Sequence, residues 1–135
     1  MLAADHLIEN IDAFHTAIAV AAGNASNGKL ATFGVVPDKP ETGYGYIKRA
    51  ERLGLAFAVE SFVEKPNLAK AQQYLHSGEY YWNSGMFMFS ATTYLAELEA
   101  FSPEIYNSCI DALNTASVDT KFGFTRLSTH SFPQY

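Results

Sequence analysis

The chain contains a single cysteine, Cys109, which excludes a disulfide within it. With nothing else calling for an oxidising compartment, the expected location is cytoplasmic. No cluster of Lys and Arg occurs, and the net charge is −5. An acidic chain without a basic stripe is not built to neutralise a nucleic-acid backbone. A sugar phosphate or a mononucleotide stays open, because one or two cations suffice to hold it. No apolar run approaches the roughly 18 residues of a membrane span. The opening residues MLAADHLIENIDAF carry Asp5, Glu9 and Asp12 where a signal peptide has basic residues and then an apolar stretch. Neither nucleic acid nor membrane is an expected partner.

Several chemical signatures are missing as well. There is no G-x-x-x-x-G-K-[ST] loop and no G-x-G-x-x-G turn. No nucleophile elbow is present. His6, His15, His76 and His130 lack zinc-ligand spacing. His15 and His76 read as helix-surface residues, and Cys109 fits an inward helical position where a thiol is inert.

What is present is ordinary globular material. At 135 residues the expectation is one domain over residues 1–135, able to bury roughly two-thirds of its unfolded surface. Hydrophobic residues make up 48% and charged residues 17%, so the chain folds rather than staying disordered. Ile11, Phe14, Ile18 and Ala21 or Ala22 recur at helical spacing and predict a helix from about Asn10 to Ala22, with Gly23 as its stop. Leu2 to Asp5 reads as the tail of a strand. Leu30 to Val36 reads as a buried strand ended by Pro37-Asp38-Lys39-Pro40. A short strand is expected from Tyr46 to Ala50. Leu55, Phe57 and Val59 alternate, and Phe62 and Val63 continue out of phase, which predicts a bulge near Glu60-Ser61. Pro66 stops that strand. Asn67 caps a helix from Leu68 to Ser77 that ends at Gly78. Met86 to Phe89 suits an inner strand, and Ala91 to Phe101 a helix. Ser102-Pro103-Glu104 then reads as a helix start with a hydroxyl cap. Ile105, Cys109, Ile110 and Leu113 give that helix its apolar stripe. Beyond Asn114 no sustained period is visible, leaving 117–135 as a weakly patterned tail. Helices alternate with strands, so the fold class is α/β.

Four places could carry chemistry. Asp5 stands where a strand ends and a helix begins, the position where open α/β sheets bind ligands, and a carboxylate there can hold Mg²⁺. It reads equally as a solvated turn acid. Glu64 and Lys65 end an apolar strand before Pro66. Glu can accept bonds from sugar hydroxyls and Lys can pair with phosphate, although a charged pair in an exposed turn looks the same. Asn83, between Trp82 and Ser84-Gly85, is either a sugar-binding amide beside an aromatic or a turn former. Gly43 and Gly45 permit tight backbone and close approach of a ligand. Tyr80, Tyr81 and Trp82 read as core before they read as a stacking wall.

Taken in order, ADH at Ala4 to His6, TFGVVPDKPETGYGYI at Thr32 to Ile47, FVEKP at Phe62 to Pro66 and YYWNSGMFMF at Tyr80 to Phe89 resemble the bacterial mannose-1-phosphate guanylyltransferases. The resemblance is clear over residues 1–116. It implies a Rossmann-like nucleotidyltransferase fold, with a mixed sheet flanked by helices. It also implies the reaction of GTP with mannose 1-phosphate to give GDP-mannose and diphosphate. By this resemblance Asp5 holds Mg²⁺, Gly45 offers its backbone to the sugar, Glu64 and Asn83 bind mannose hydroxyls, and Lys65 contacts the sugar phosphate. There are departures. The family has a glycine-rich loop with an Arg before the metal-bearing strand, and a later Asp in a D-V-G-S-W-like stretch. Neither occurs here, and Ala4 stands where the family has Pro. The expectation is a truncated portion that lacks the N-terminal nucleotide-binding βα units, keeps the sugar-phosphate half and is not catalytic alone. Missing strands would leave sheet edges bare, so a homodimer or higher assembly is expected. The alternative is a non-catalytic, self-associating module from a mobile or truncated gene.

Overall fold

A computed structural model describes residues 7–119 and 124–126. The chain divides into two compact units, Met1–Ser90 and Ala91–Tyr135, each described by itself.

The first unit runs α1 (Ile11–Ser26), β1 (Ala31–Val35), β2 (Gly45–Leu53), β3 (Ala56–Glu64), α2 (Leu68–Ser77) and β4 (Tyr80–Met88). Its four strands lie in the order β1-β4-β2-β3. The α/β class expected from the sequence is what forms. All three described pairings within this sheet are antiparallel, where a mixed sheet was expected. The reason is local for β2 and β3. Gly54, at φ 64°, opens a tight turn straight from one to the other, whereas parallel neighbours need a long crossover.

Local chemistry sets most boundaries. The Asn10 side chain accepts from the Ala13 N–H at 3.0 Å and starts α1. The helix then passes through Gly23 to Ser26, correcting the expected stop. Glycine inside a helix is unfavourable by about 1 kcal/mol but does not break it; the left-handed residue comes later, at Gly28 (φ 73°). Asn67 accepts from the Lys70 N–H at 3.0 Å, and Gly78 closes α2 at φ 64°. The bulge expected near Glu60-Ser61 is present. Lys48 pairs with Ser61 and Arg49 with Val59, which leaves Glu60 as the extra residue. β4 is longer than the expected Met86–Phe89, because Ser84-Gly85 is absorbed as an irregularity instead of ending the strand.

The core of this unit sits on the two central strands. Tyr46 and Ile47 of β2 and Met86 of β4 are buried. Tyr74 of α2 stacks on Tyr80 at 4.0 Å and packs against Tyr46 at 5.4 Å. The Tyr46 hydroxyl donates to the Glu41 carbonyl at 2.8 Å and so stays satisfied inside.

The second unit holds α3 (Ala91–Phe101), α4 (Pro103–Asn114) and a hairpin of β5 (Ser117–Asp119) with β6 (Phe124–Arg126). Pro103 opens α4, but the Ser102 side chain makes no capping bond. Its backbone carbonyl accepts from Ile105 and Tyr106 instead. The hairpin falls in the stretch where no period is visible, since strands of three residues are too short to display one. Among the described residues no helix is long and apolar enough to cross a membrane.

Candidate functional site

Gly45 is the first residue of β2 and pairs with Glu64, the last residue of β3. On its other side Tyr46 pairs with Trp82 of β4, so the antiparallel register brings Asn83 next to Gly45. A Cβ placed on Gly45 would stand 2.8 Å from Glu64 Oε2, 3.5 Å from Asn83 Cβ and 3.8 Å from Asn83 Nδ2. Three of the residues singled out in the sequence thus meet at one end of the sheet, around the space that a side chain at position 45 would fill. Glycine is needed here for close approach, not for its backbone angle.

Lys65 follows directly. Its φ is 44°, a left-handed conformation that a residue with a Cβ rarely takes. Its N–H donates to the Tyr44 carbonyl at 3.2 Å, tying the end of β3 to the loop before β2. The Lys65 ammonium lies 3.9 Å from Glu64 Oε1, with both side chains mostly exposed. Such a pair contributes little to stability, and Lys65 keeps donors for an anion at the rim.

Asn83 is held by the irregularity in β4. Its Oδ1 accepts from the Gly85 N–H at 3.1 Å, with the Thr32 hydroxyl 3.5 Å away. A backbone N–H can only donate, so the amide oxygen faces Gly85 and the NH₂ end is the one directed to Gly45. The site therefore combines an amide donor, a carboxylate acceptor and an ammonium at the edge. That set suits a polyhydroxylated ligand bearing an anionic group.

Titration is shifted at two places that share these strands. The Glu60 carboxylate, bonded to Lys48 at 2.8 Å, raises the Lys48 ammonium above its ordinary value. Burial raises the Tyr80 hydroxyl. Tyr80, Tyr81 and Trp82, expected as core, are each half-buried, with Tyr80 stacked on Tyr74 at 4.0 Å. Two neighbours were missed. Tyr44 meets Trp82 edge-on at 5.2 Å, and Trp82 Nε1 is buried with no hydrogen-bond partner among the described residues. An aromatic between two glycines was the available signal for Tyr44. Ser84, named in the sequence only as a neighbour of Asn83, bridges β4 to β1.

Asp5, to which the resemblance gives Mg²⁺, lies outside the described residues, as does the strand tail before it. Among the described residues no three His, Cys, Asp or Glu side chains gather as a metal site requires.

The family model described as nucleotidyl transferase matches residues 1–127. A mannose-1-phosphate guanylyltransferase of Escherichia coli is 51% identical over 137 aligned residues, covering 98% of this chain and 28% of the relative. A crystal structure of mannose-6-phosphate isomerase from Helicobacter pylori matches 94% of this chain and 49% of its own, with TM-score 0.77 and 40% identity. One from Thermus thermophilus, described as a mannose-1-phosphate geranyltransferase, matches 86% of this chain and 34% of its own, with TM-score 0.78 and 35% identity. The chain thus spans little more than a quarter of the length of the curated relatives it matches. The alternative of a purely structural module gains no support from them.

Proposed function

The chain belongs to the nucleotidyl transferase family, and we propose that Gly45, Glu64, Lys65 and Asn83 form the sugar-phosphate side of a nucleotidyl-transfer site. The ligand is mannose 1-phosphate, and the second substrate of the complete reaction is GTP. The observation that carries this reading is the convergence of Glu64 and Asn83 on the space left open by Gly45. Glu64 accepts from sugar hydroxyls, Asn83 donates to them, and Lys65 draws the phosphate to the rim. A phosphate oxygen of the sugar attacks the α-phosphorus of GTP, the bond to the β-phosphate oxygen breaks, and diphosphate leaves. Holding the attacking phosphate in line is this chain's part in the rate, since positioning and charge carry most of phosphoryl-transfer catalysis. Mg²⁺ is the cation this reaction brings, with Asp5 as its candidate ligand; once bound it would offset phosphate charge. Self-association and a cytoplasmic location complete the proposal.

Trp82 is the sole tryptophan, so its fluorescence reports on ligand directly. Mannose 1-phosphate should give a saturable change, while mannose and inorganic phosphate give weaker ones. No change in fluorescence and no shift in Tm at millimolar mannose 1-phosphate refutes the reading.

A further inference from the structure

β4 carries an irregularity next to the site. Gly34 pairs with Asn83 and Thr32 with Phe87, so Ser84, Gly85 and Met86 together stand opposite Phe33. One hydroxyl spans that widened step. Ser84 Oγ donates to the Phe33 carbonyl at 2.6 Å and accepts from the Met86 N–H at 3.2 Å. The Thr32 hydroxyl donates to the Met86 carbonyl at 3.2 Å from the β1 side. Within the bridged segment Gly85 takes φ 71°, and its N–H lies 3.1 Å from Asn83 Oδ1. The clamp thus decides which end of the Asn83 carboxamide is presented beside Glu64. Bulges commonly re-aim a side chain in this way.

We propose that Ser84 is a positioning residue. Its hydroxyl holds the irregularity that fixes Asn83 as a hydrogen-bond donor next to Glu64 as an acceptor. The site then selects a polyol whose neighbouring hydroxyls take opposite roles, one accepting from the amide and one donating to the carboxylate. The selectivity rests on the sugar-phosphate reading above, whereas the clamp exists without any ligand. A merely structural serine would affect melting but not the motion of a neighbouring amide.

The test uses the 135-residue chain as wild type, Ser84→Ala and Ser84→Thr, the last keeping the hydroxyl. Nitrogen relaxation of the Asn83 side-chain amide is measured without ligand, its signal identified by its disappearance in Asn83→Asp. The order parameter of this amide is expected to fall in Ser84→Ala relative to wild type and to be restored in Ser84→Thr. Calorimetry with mannose 1-phosphate is expected to show about a tenfold loss of affinity in Ser84→Ala, the size of one hydrogen bond misdirected, with recovery in Ser84→Thr. A mobile Asn83 amide in wild type, or an equally rigid one in Ser84→Ala, overturns the proposal. A clamp that behaves as expected in a chain that binds no mannose 1-phosphate overturns the selectivity and the sugar-phosphate reading, leaving the positioning of Asn83 standing. If Ser84→Ala does not fold, Ser84→Cys takes its place, with similar size and a weaker donor.

Discussion

At φ 44°, Lys65 holds a backbone conformation that glycine adopts freely and lysine does not. Strain of this kind amounts to about 1–3 kcal/mol and persists where the surroundings impose it. Here the neighbouring restraints are Pro66, which fixes the backbone that follows, and the bond from the Lys65 N–H to Tyr44. Lys65→Gly is therefore expected to raise stability by about 0.5–1 kcal/mol, seen as a higher Tm. The same variant should bind mannose 1-phosphate at least about tenfold more weakly, since a charge-assisted bond is lost. A lower Tm with unchanged affinity would mean that Lys65 is a structural turn residue. Gly45, Glu64, Lys65 and Asn83 stood out in the sequence because each lies at the edge of an apolar run within two residues of a Pro or another Gly, while the roles proposed for them came from the family resemblance. Tyr44 carried only the weak signal of an aromatic between two glycines, and Ser84 carried none, because their roles depend on which strands become neighbours.

At the scale of elements, β1 and β4 approach so closely that one glycine is obligatory. A Cβ on Gly34 would come within 2.6 Å of Tyr81 Cβ and 3.0 Å of its Cγ. These are the near atoms of the side chain, not a flexible tip, so the strands themselves must move. Gly34→Ala is expected to destabilise the fold by about 1–3 kcal/mol, read as a lower denaturant midpoint with an unchanged slope. A midpoint equal to wild type would show that the β1–β4 spacing is not fixed as described. The elements also divide by how plainly they could be read. α2 matched from cap to stop, because Asn67 and Gly78 act through local hydrogen bonding and backbone angle. The slip at Glu60 was visible as a break in alternation. β4 was read too short, because Ser84-Gly85 has the composition of a turn; the strand continues through it because Tyr80–Trp82 pair with β2 and residues on both sides of it pair with β1. The α1 end was read too early for the opposite reason: a local signal at Gly23 was outweighed by continued helical bonding to Ser26.

On the scale of the whole molecule, buried material is sparse. Among large side chains of the described residues only Tyr46 is fully buried, while Val36 and Leu55 are 73% exposed and Phe101 is 81% exposed. The described sheet also ends on β1 and β3, whose outer edges have no strand partner among the described residues, and unpaired edges template association. A dimer or larger assembly is expected by sedimentation at micromolar concentration, dissociating on dilution; a monomer throughout would contradict it.

If the sheet end around Gly45 receives a sugar 1-phosphate, amide NMR during titration with mannose 1-phosphate should show saturable shifts at Gly45, Glu64, Lys65 and Asn83, including the Asn83 side-chain amide. Shifts confined to residues away from that sheet end, or none at millimolar ligand, would contradict it.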